Sequence, residues 1–247
     1  MRLTVLASGS AGNGYVIEGR TSALVIECGV RPEVAIQQTG ITPSKVSGCL
    51  ISHEHGDHAA YARRYARLGM SVFASVGTIK GAGLLDTPRV YALTPGRSAK
   101  VGEFVVYPFE VEHDAAEPLG FAIKHPELGT LVFMTDLRAV PFSSAVNPSV
   151  IMIEANWSGD ILDGRVRRGE EDIDRAARIK NTHLSIERAC EFVRASDGPA
   201  LKDVVLLHLS DRNSDADDFA ARMRRAVRLA SVHVARAGLS VELNKTI

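Results

Sequence analysis

Three imidazoles and two carboxylates fall within six residues in the run His53-Glu54-His55-Gly56-Asp57-His58. These side-chain types ligate zinc and neighbouring divalent metals. The run follows an apolar, strand-like stretch, Gly48-Cys49-Leu50-Ile51-Ser52. On an extended segment, residues two apart face the same way, so His53 and His55 can grip one ion while Glu54 points away and reads as structural. Asp57 and His58 fall at the turn into a helix, where they can reach a second ion. A tetrahedral site takes about four ligands, so the run can supply half of the set for each of two metals. Isolated histidines are usually surface or satisfied core residues. The chain has only eight histidines, however, and H-x-H-x-D-H does not arise readily by chance from so few.

Hydrophobic patterning around this run predicts strands at Arg2–Ala7, Tyr15–Glu18, Ala23–Glu27, Gly48–Ser52 and Ser71–Ala74. It predicts helices at Pro32–Gln38, which opens on proline, at Asp57–Leu68 and, with interruptions, at Val76–Leu85. Arg89–Val111 holds two or three strands. Leu119–Lys124, Thr130–Thr135 and Ser149–Ile153 continue a second sheet. From Gly159 the pattern turns helical, with Ile161–Ile179 rich in Arg and acids, and Ser185–Arg194 opening on a capping Ser and an early Glu. Asp203–Leu207 is a strand, Ala216–Ala230 an Arg-rich amphipathic helix, and Leu239–Leu243 a last strand. Two similar halves of this kind predict an α/β (α+β) fold, with two facing sheets and helices outside.

The chain has 247 residues, 45% hydrophobic and 23% charged, enough to bury a full core as one domain, 1–247. Lys plus Arg equals Asp plus Glu at 29 each, so any nucleic-acid binding needs a local basic patch. Two such patches exist. One is Arg63, Arg64 and Arg67; the other is Arg165, Arg167, Arg168, Arg175, Arg178 and Lys180. Acids interleave the second, which then also reads as a solvated helix face. The three cysteines, Cys28, Cys49 and Cys190, sit in apolar contexts and read as reduced core residues, although Cys28 lies near the strand ends by the metal run. The first apolar stretch is too short for a secretory signal, and no run approaches the ~20 residues that span a bilayer. The expectation is a cytoplasmic protein with no membrane partner.

The H-x-H-x-D-H pattern resembles that of the metallo-β-lactamase superfamily, whose fold is a four-layered αβ/βα sandwich. The resemblance implies further ligands, and the chain offers His113, Asp136 and His208, each at the C-terminal end of an apolar strand-like run. It implies one site of His53, His55, His113 and Asp136, and another of Asp57, His58, His208 and Asp136, bridged by Asp136. Further pieces are Ser8-Gly9-Ser10-Ala11-Gly12-Asn13, Glu112–Phe121, Glu154-Ala155-Asn156, Thr182-His183-Leu184-Ser185 and Leu207–Asn213. Together they resemble the YycJ/WalJ-type branch, which is similar to ribonuclease Z in its core and is associated with metal-dependent DNA exonuclease activity. The chain departs from that branch at Glu27, usually Asp, and at Cys28, usually Ala. Trp157-Ser158 replaces the usual His-Asp, and Ile186 replaces the Asn of Leu-Ser-Asn.

The resemblance implies two divalent ions per chain, Zn²⁺ or Mn²⁺, and a hydroxide activated between them for attack on phosphorus. Asp57 and His183 are the catalytic candidates. His183 either donates the proton to the leaving oxygen, binds phosphate, or only caps the following segment. Ser185, Arg63 and Asn13 are candidate substrate contacts, with Ser185 also readable as an ordinary N-cap. Asp114 either orients a ligand histidine or is a surface residue. His125 and His233 lack a ligand-like context and read as surface residues. The function expected is a phosphodiesterase or DNA exonuclease. The alternative is a metallohydrolase of a small cyclic phosphodiester, thioester or lactone, because one fold hosts many chemistries. A non-catalytic binding module on this fold sits poorly with an intact ligand set.

Overall fold

The central strands of this protein are buried on both faces, and the reason is visible in the layers. The structure, a computed structural model, describes residues 1–145 and 147–243. The first half runs β1 (Arg2–Ala7), β2 (Gly14–Glu18), β3 (Ala23–Ile26), α1 (Pro32–Thr39), β4 (Val46–Leu50), α2 (Gly56–Ala59), α3 (Ala62–Arg67), β5 (Val72–Ala74), α4 (Val76–Gly81) and β6 (Val90–Ala92). The second half runs β7 (Ala99–Val101), β8 (Phe104–Glu110), β9 (Leu119–His125), β10 (Gly129–Met134), β11 (Val150–Glu154), α5 (Gly159–Arg167), α6 (Ile173–Thr182), α7 (Ile186–Ser196), β12 (Asp203–Leu207), α8 (Ala216–Ala226), β13 (Ser231–Val234) and β14 (Ser240–Glu242).

These strands form two mixed seven-stranded sheets. One has the order β14-β1-β2-β3-β4-β5-β6 and the other β13-β12-β11-β10-β9-β8-β7. Successive residues of a strand face opposite sides, and both sides are covered. In β3, Leu24 and Ile26 enter the core between the sheets, with Tyr15, Phe121 and Phe133. Ala23 and Val25 face the other way, onto Ala35 of α1 and Tyr65 of α3. In β11, Met152 lies between the sheets while Ile151 and Ile153 pack against Ile186 and Phe192 of α7. Three apolar layers between four structural layers make the expected α/β sandwich. All three cysteines are buried and free.

Helix boundaries differ from expectation where the backbone is diverted. Asp57–Leu68 is two short helices because the bond that would link Tyr61 N to Asp57 O is not made. Tyr61 N donates instead to Cys28 O (2.9 Å), and Asp57 O accepts from Asn13 N (2.7 Å). Ile161–Ile179 likewise divides. Gly169, at φ 69°, follows the end of α5, and Asp172 caps α6 by accepting from Arg175 N. The Ala216–Ala230 helix stops at Ala226, where Arg228 N turns to Asp197 Oδ2 (2.9 Å), and β13 begins at Ser231. His125 is buried against Phe104, with ring centroids 4.6 Å apart, rather than exposed. His233, on β13, is half-buried beside Asp203. No helix among the described residues is long and apolar enough to cross a membrane.

Candidate metal centre

The histidines and carboxylates singled out in the sequence meet at the C-terminal ends of β3, β4, β8, β10, β11 and β12, joined by His183 just before α7. Three of the residues involved hold a positive φ without being glycine: Glu27 (67°), Asp136 (46°) and His208 (51°). Glu27 and His208 directly follow β3 and β12, Asp136 lies two residues past the end of β10, and that strained turn aims each side chain across the sheet end. Backbone held there at some cost is a mark of functional sites.

His53, His55 and His113 form one half of the cluster, their ligand-type atoms all within 4.8 Å of one another. His53 Nε2 lies 3.0 Å from His55 Nδ1, which lies 3.4 Å from His113 Nε2. The outer nitrogens are spoken for. His113 Nδ1 donates to the Thr182 carbonyl (3.1 Å), and His53 Nδ1 pairs with Ser52 Oγ (2.9 Å). A carbonyl only accepts, so the proton of neutral His113 sits on Nδ1 and the lone pair of Nε2 points inward. Burial depresses the pKa of His53 well below the ordinary value, assisted by His58, and burial does the same for His113. Neutral imidazoles converging in this way suit a cation.

The other half is ionic. Asp136 is buried, with Oδ2 2.7 Å from His58 Nε2 and Oδ1 2.9 Å from His208 Nδ1 and 3.1 Å from His183 Nδ1. Burial opposes its charge, but His208 and His58 win, and its pKa is held well below the carboxylate range. His208 is lifted to about 9 and His183 to about 10. Burial works against both, and Asp136 and Glu154 overcome it. Asp57, His58 and His208 form a further group within 4.8 Å, as do His53, His58 and Asp136. Asp136 therefore stands between the two halves. His208 Nε2 is a buried nitrogen with no hydrogen-bond partner among the described residues, and it lies 3.8 Å from Asp57 Oδ2. An orphaned buried nitrogen facing a carboxylate is an arrangement that a divalent ion would satisfy, so the donor set fits the metals expected of it.

Supporting residues fix these ligands. Glu154 Oε1 accepts from both His183 Nδ1 (2.7 Å) and His208 Nδ1 (3.2 Å), while its Oε2 accepts from Leu137 N and Leu184 N, each 3.0 Å away. It ties together the three loops that carry Asp136, His183 and His208. Glu27 Oε2 lies 3.4 Å from His58 Nδ1 and accepts from Ser52 N. The sequence marked Glu154 and Glu27 only as pieces of a pattern. Their signal is a carboxylate at or just past the end of an apolar strand. Gly29 belongs to no motif in the sequence, yet a Cβ there would stand 1.6 Å from Asp57 O, so only glycine lets the chain pass beneath the ligand turn.

The expected substrate contacts lie elsewhere. Asn13 is buried, and its amide donates to Asp57 Oδ2 (3.1 Å) and Gly9 O (3.2 Å), so it holds a ligand and does not meet substrate. Ser185 is buried and caps α7, accepting from Arg188 N (3.4 Å). The Arg63 guanidinium donates to the Gly83 carbonyl and does not line the cleft. The cations that do line it are Arg175 and Arg178 on α6. Arg178 pairs with Asp114 Oδ2 (3.3 Å), and Asp114 Oδ1 lies 3.2 Å from His113 Nε2, so Asp114 stands between α6 and the cluster. Glu54 is structural as expected, accepting from Ala116 N (2.7 Å). The departures at residues 157 and 158 have local roles. Trp157 Nε1 donates to the His183 carbonyl (3.0 Å), and Ser158 caps α5.

A family profile described as the metallo-beta-lactamase superfamily matches residues 7–133. This chain belongs to that superfamily. It is 31% identical over 228 residues to the exodeoxyribonuclease YycJ of Bacillus anthracis, a match spanning 87% of this chain and 84% of the relative. It is 28% identical over 231 residues to the exodeoxyribonuclease WalJ of Streptococcus pneumoniae serotype 2, over 86% and 83% of the two chains. The crystal structure of the metallo-beta-lactamase fold protein YhfI from Bacillus subtilis superposes with a TM-score of 0.72 at 18% identity, covering 98% of this chain and 99% of the other. The superfamily fold accounts for the four layers and for a His/Asp cluster at the strand ends.

Proposed function

We propose that this protein is a metal-dependent phosphodiesterase that degrades DNA from an end, with two divalent ions, zinc or manganese, in its centre. The observation that carries this reading is His183. It stands at the edge of the seven-residue His/Asp cluster, its Nδ1 fixed by Glu154 and Asp136, beneath the cations Arg175 and Arg178. Relatives named exodeoxyribonucleases support it. In this reading His53, His55 and His113 hold one ion, Asp57, His58 and His208 hold the other, and Asp136 serves both. Such ions supply Lewis acidity and an acidified water near neutral pH. The protein's own residues do the rest. Asp57, steadied by Asn13, orients the attacking water. Arg175 and Arg178 draw the phosphate backbone in and offset its charge. Burial opposes a charge on His183, but Glu154 and Asp136 overcome it and lift its pKa to about 10 in the metal-free protein, and in this reading His183 protonates the leaving oxygen.

The cleft over the cluster is small, about 250 Å³, and this favours a second reading in which a small cyclic phosphodiester is the substrate. A hydrolysis panel separates them: bis-p-nitrophenyl phosphate, end-labelled single- and double-stranded DNA, a cyclic dinucleotide and nitrocefin, each with zinc and with manganese. Stepwise shortening of DNA is the expected result. Cleavage of nitrocefin or the cyclic substrate with no loss of DNA length contradicts the exonuclease reading.

A further inference from the structure

The small cleft does not stand alone. A second cavity of about 970 Å³ adjoins it, and Ser10, Arg175, Ile179 and His183 line both. This larger groove runs from His183 between the Ser8–Gly12 turn and the Leu209–Ser214 loop to the face of α8 and β13. Its volume lies at the upper end of the ~300–1,000 Å³ usual for ligand sites, and only the small cleft beside it touches the whole His/Asp cluster.

Two features define what the groove can hold. Four arginines line it, Arg175, Arg212, Arg224 and Arg236, against two acids, Asp211 and Asp217. Arg224 and Arg236 are exposed and form no ion pair or side-chain hydrogen bond among the described residues, unlike their helix neighbour Arg222, which is bound to Asp160, Glu187 and Asp218. The lining also contains no Phe, Tyr or Trp among the described residues. Proteins that read unpaired bases stack them chiefly on Phe, Tyr and Trp, so a groove with two free guanidiniums, Arg224 and Arg236, and none of those three residues grips the backbone.

We propose that this groove is the binding site for the polynucleotide strand that continues beyond the reacting phosphate, held through its phosphates by Arg224 and Arg236 and without regard to sequence. The proposal rests on the phosphodiesterase reading for its purpose, but binding tests it without turnover. Fluorescence anisotropy with labelled twelve-nucleotide oligothymidylate, and with the oligouridylate of the same length, is measured over a salt series. The wild type is compared with Arg224→Ala/Arg236→Ala. Arg225→Ala, which changes an exposed cation one residue along and outside the groove, serves as control. The double variant is expected to bind about tenfold more weakly, with a salt slope reduced by about 1.4, two phosphates at ~0.7 each. The control stays within about twofold of wild type. A mixed-sequence strand binds as well as oligothymidylate. Loss confined to the deoxy strand assigns the groove to DNA, and equal loss assigns it to the shared backbone. Wild-type affinity in the double variant, an equal loss in the control, or no strand binding by the wild type overturns the proposal. Absence of bis-p-nitrophenyl phosphate hydrolysis by the wild type would instead sink the phosphodiesterase reading and leave the binding result standing.

Discussion

The two halves of the His/Asp cluster solve the same problem in opposite ways. Around His53 and His113, burial keeps the imidazoles neutral, and with His55 their nitrogens face nitrogens at 3.0 and 3.4 Å. Around Asp136, buried carboxylates keep imidazoles charged, and the three shortest contacts of Asp136 are ion pairs. The first half is held in shape by neutral partners, Ser52 Oγ and the Thr182 carbonyl. The second is held by two further carboxylates, Glu27 and Glu154. One half is ready for a cation; the other must give up protons to take one. Asp136 joins them.

Breaking the junction has the largest effect. Asp136→Ala is expected to lower turnover by about 10⁴ and to empty both halves, read by metal analysis beside hydrolysis of bis-p-nitrophenyl phosphate. Retention of both ions would show the halves to be independent. His183→Ala is expected to lower kcat by roughly 10²–10³ with metal content unchanged, because it acts on the leaving group. If the ions leave with it, His183 is a ligand and the proton-donor role is wrong. Glu27→Gln removes the carboxylate behind His58 and is expected to weaken metal binding by roughly 10–100-fold. His53, which has no such carboxylate, serves as the comparison: Ser52→Ala should weaken binding less.

The smallest effect is on pH dependence, where the halves carry opposite signs. In metal-free protein, His183 and His208 have raised pKa values, so their contribution is complete below the ordinary histidine value near 6.5 and is lost as pH rises through about 9 to 10. His53 and His113 have lowered values, so stability falls as pH drops below about 6.5. Melting of chelated protein across pH 5–10 should therefore peak near the middle. His53→Gln should flatten the acid limb and His183→Asn the alkaline limb. A monotonic Tm profile in the parent protein would remove the contrast.

The sequence made the neutral half legible and the charged half only partly so. H-x-H-x-D-H after a strand needs nothing but alternation and a turn to place His53 and His55 together. His113, Asp136 and His208 were found by resemblance and by their places at strand ends. Glu154 and Glu27 escaped a role because their partners are far away in sequence, at residues 137, 183 and 208 for one and 58 for the other. Asn13 and Ser185 read from the sequence as substrate contacts for the converse reason. Both are polar residues in turn contexts, and only tertiary packing shows them spent on Asp57 and on the start of α7. The break at Ala60–Tyr61 was invisible because the apolar period continues across it while the backbone bonds go to Cys28 and Asn13. Strand β13 is four residues with modest burial, below what alternation can announce.

The most direct test of a two-half centre is the metal content of the purified chain, reconstituted with zinc or with manganese and freed of excess by gel filtration. Two ions per chain is the predicted result. One ion per chain or fewer, with the protein folded, would contradict the account.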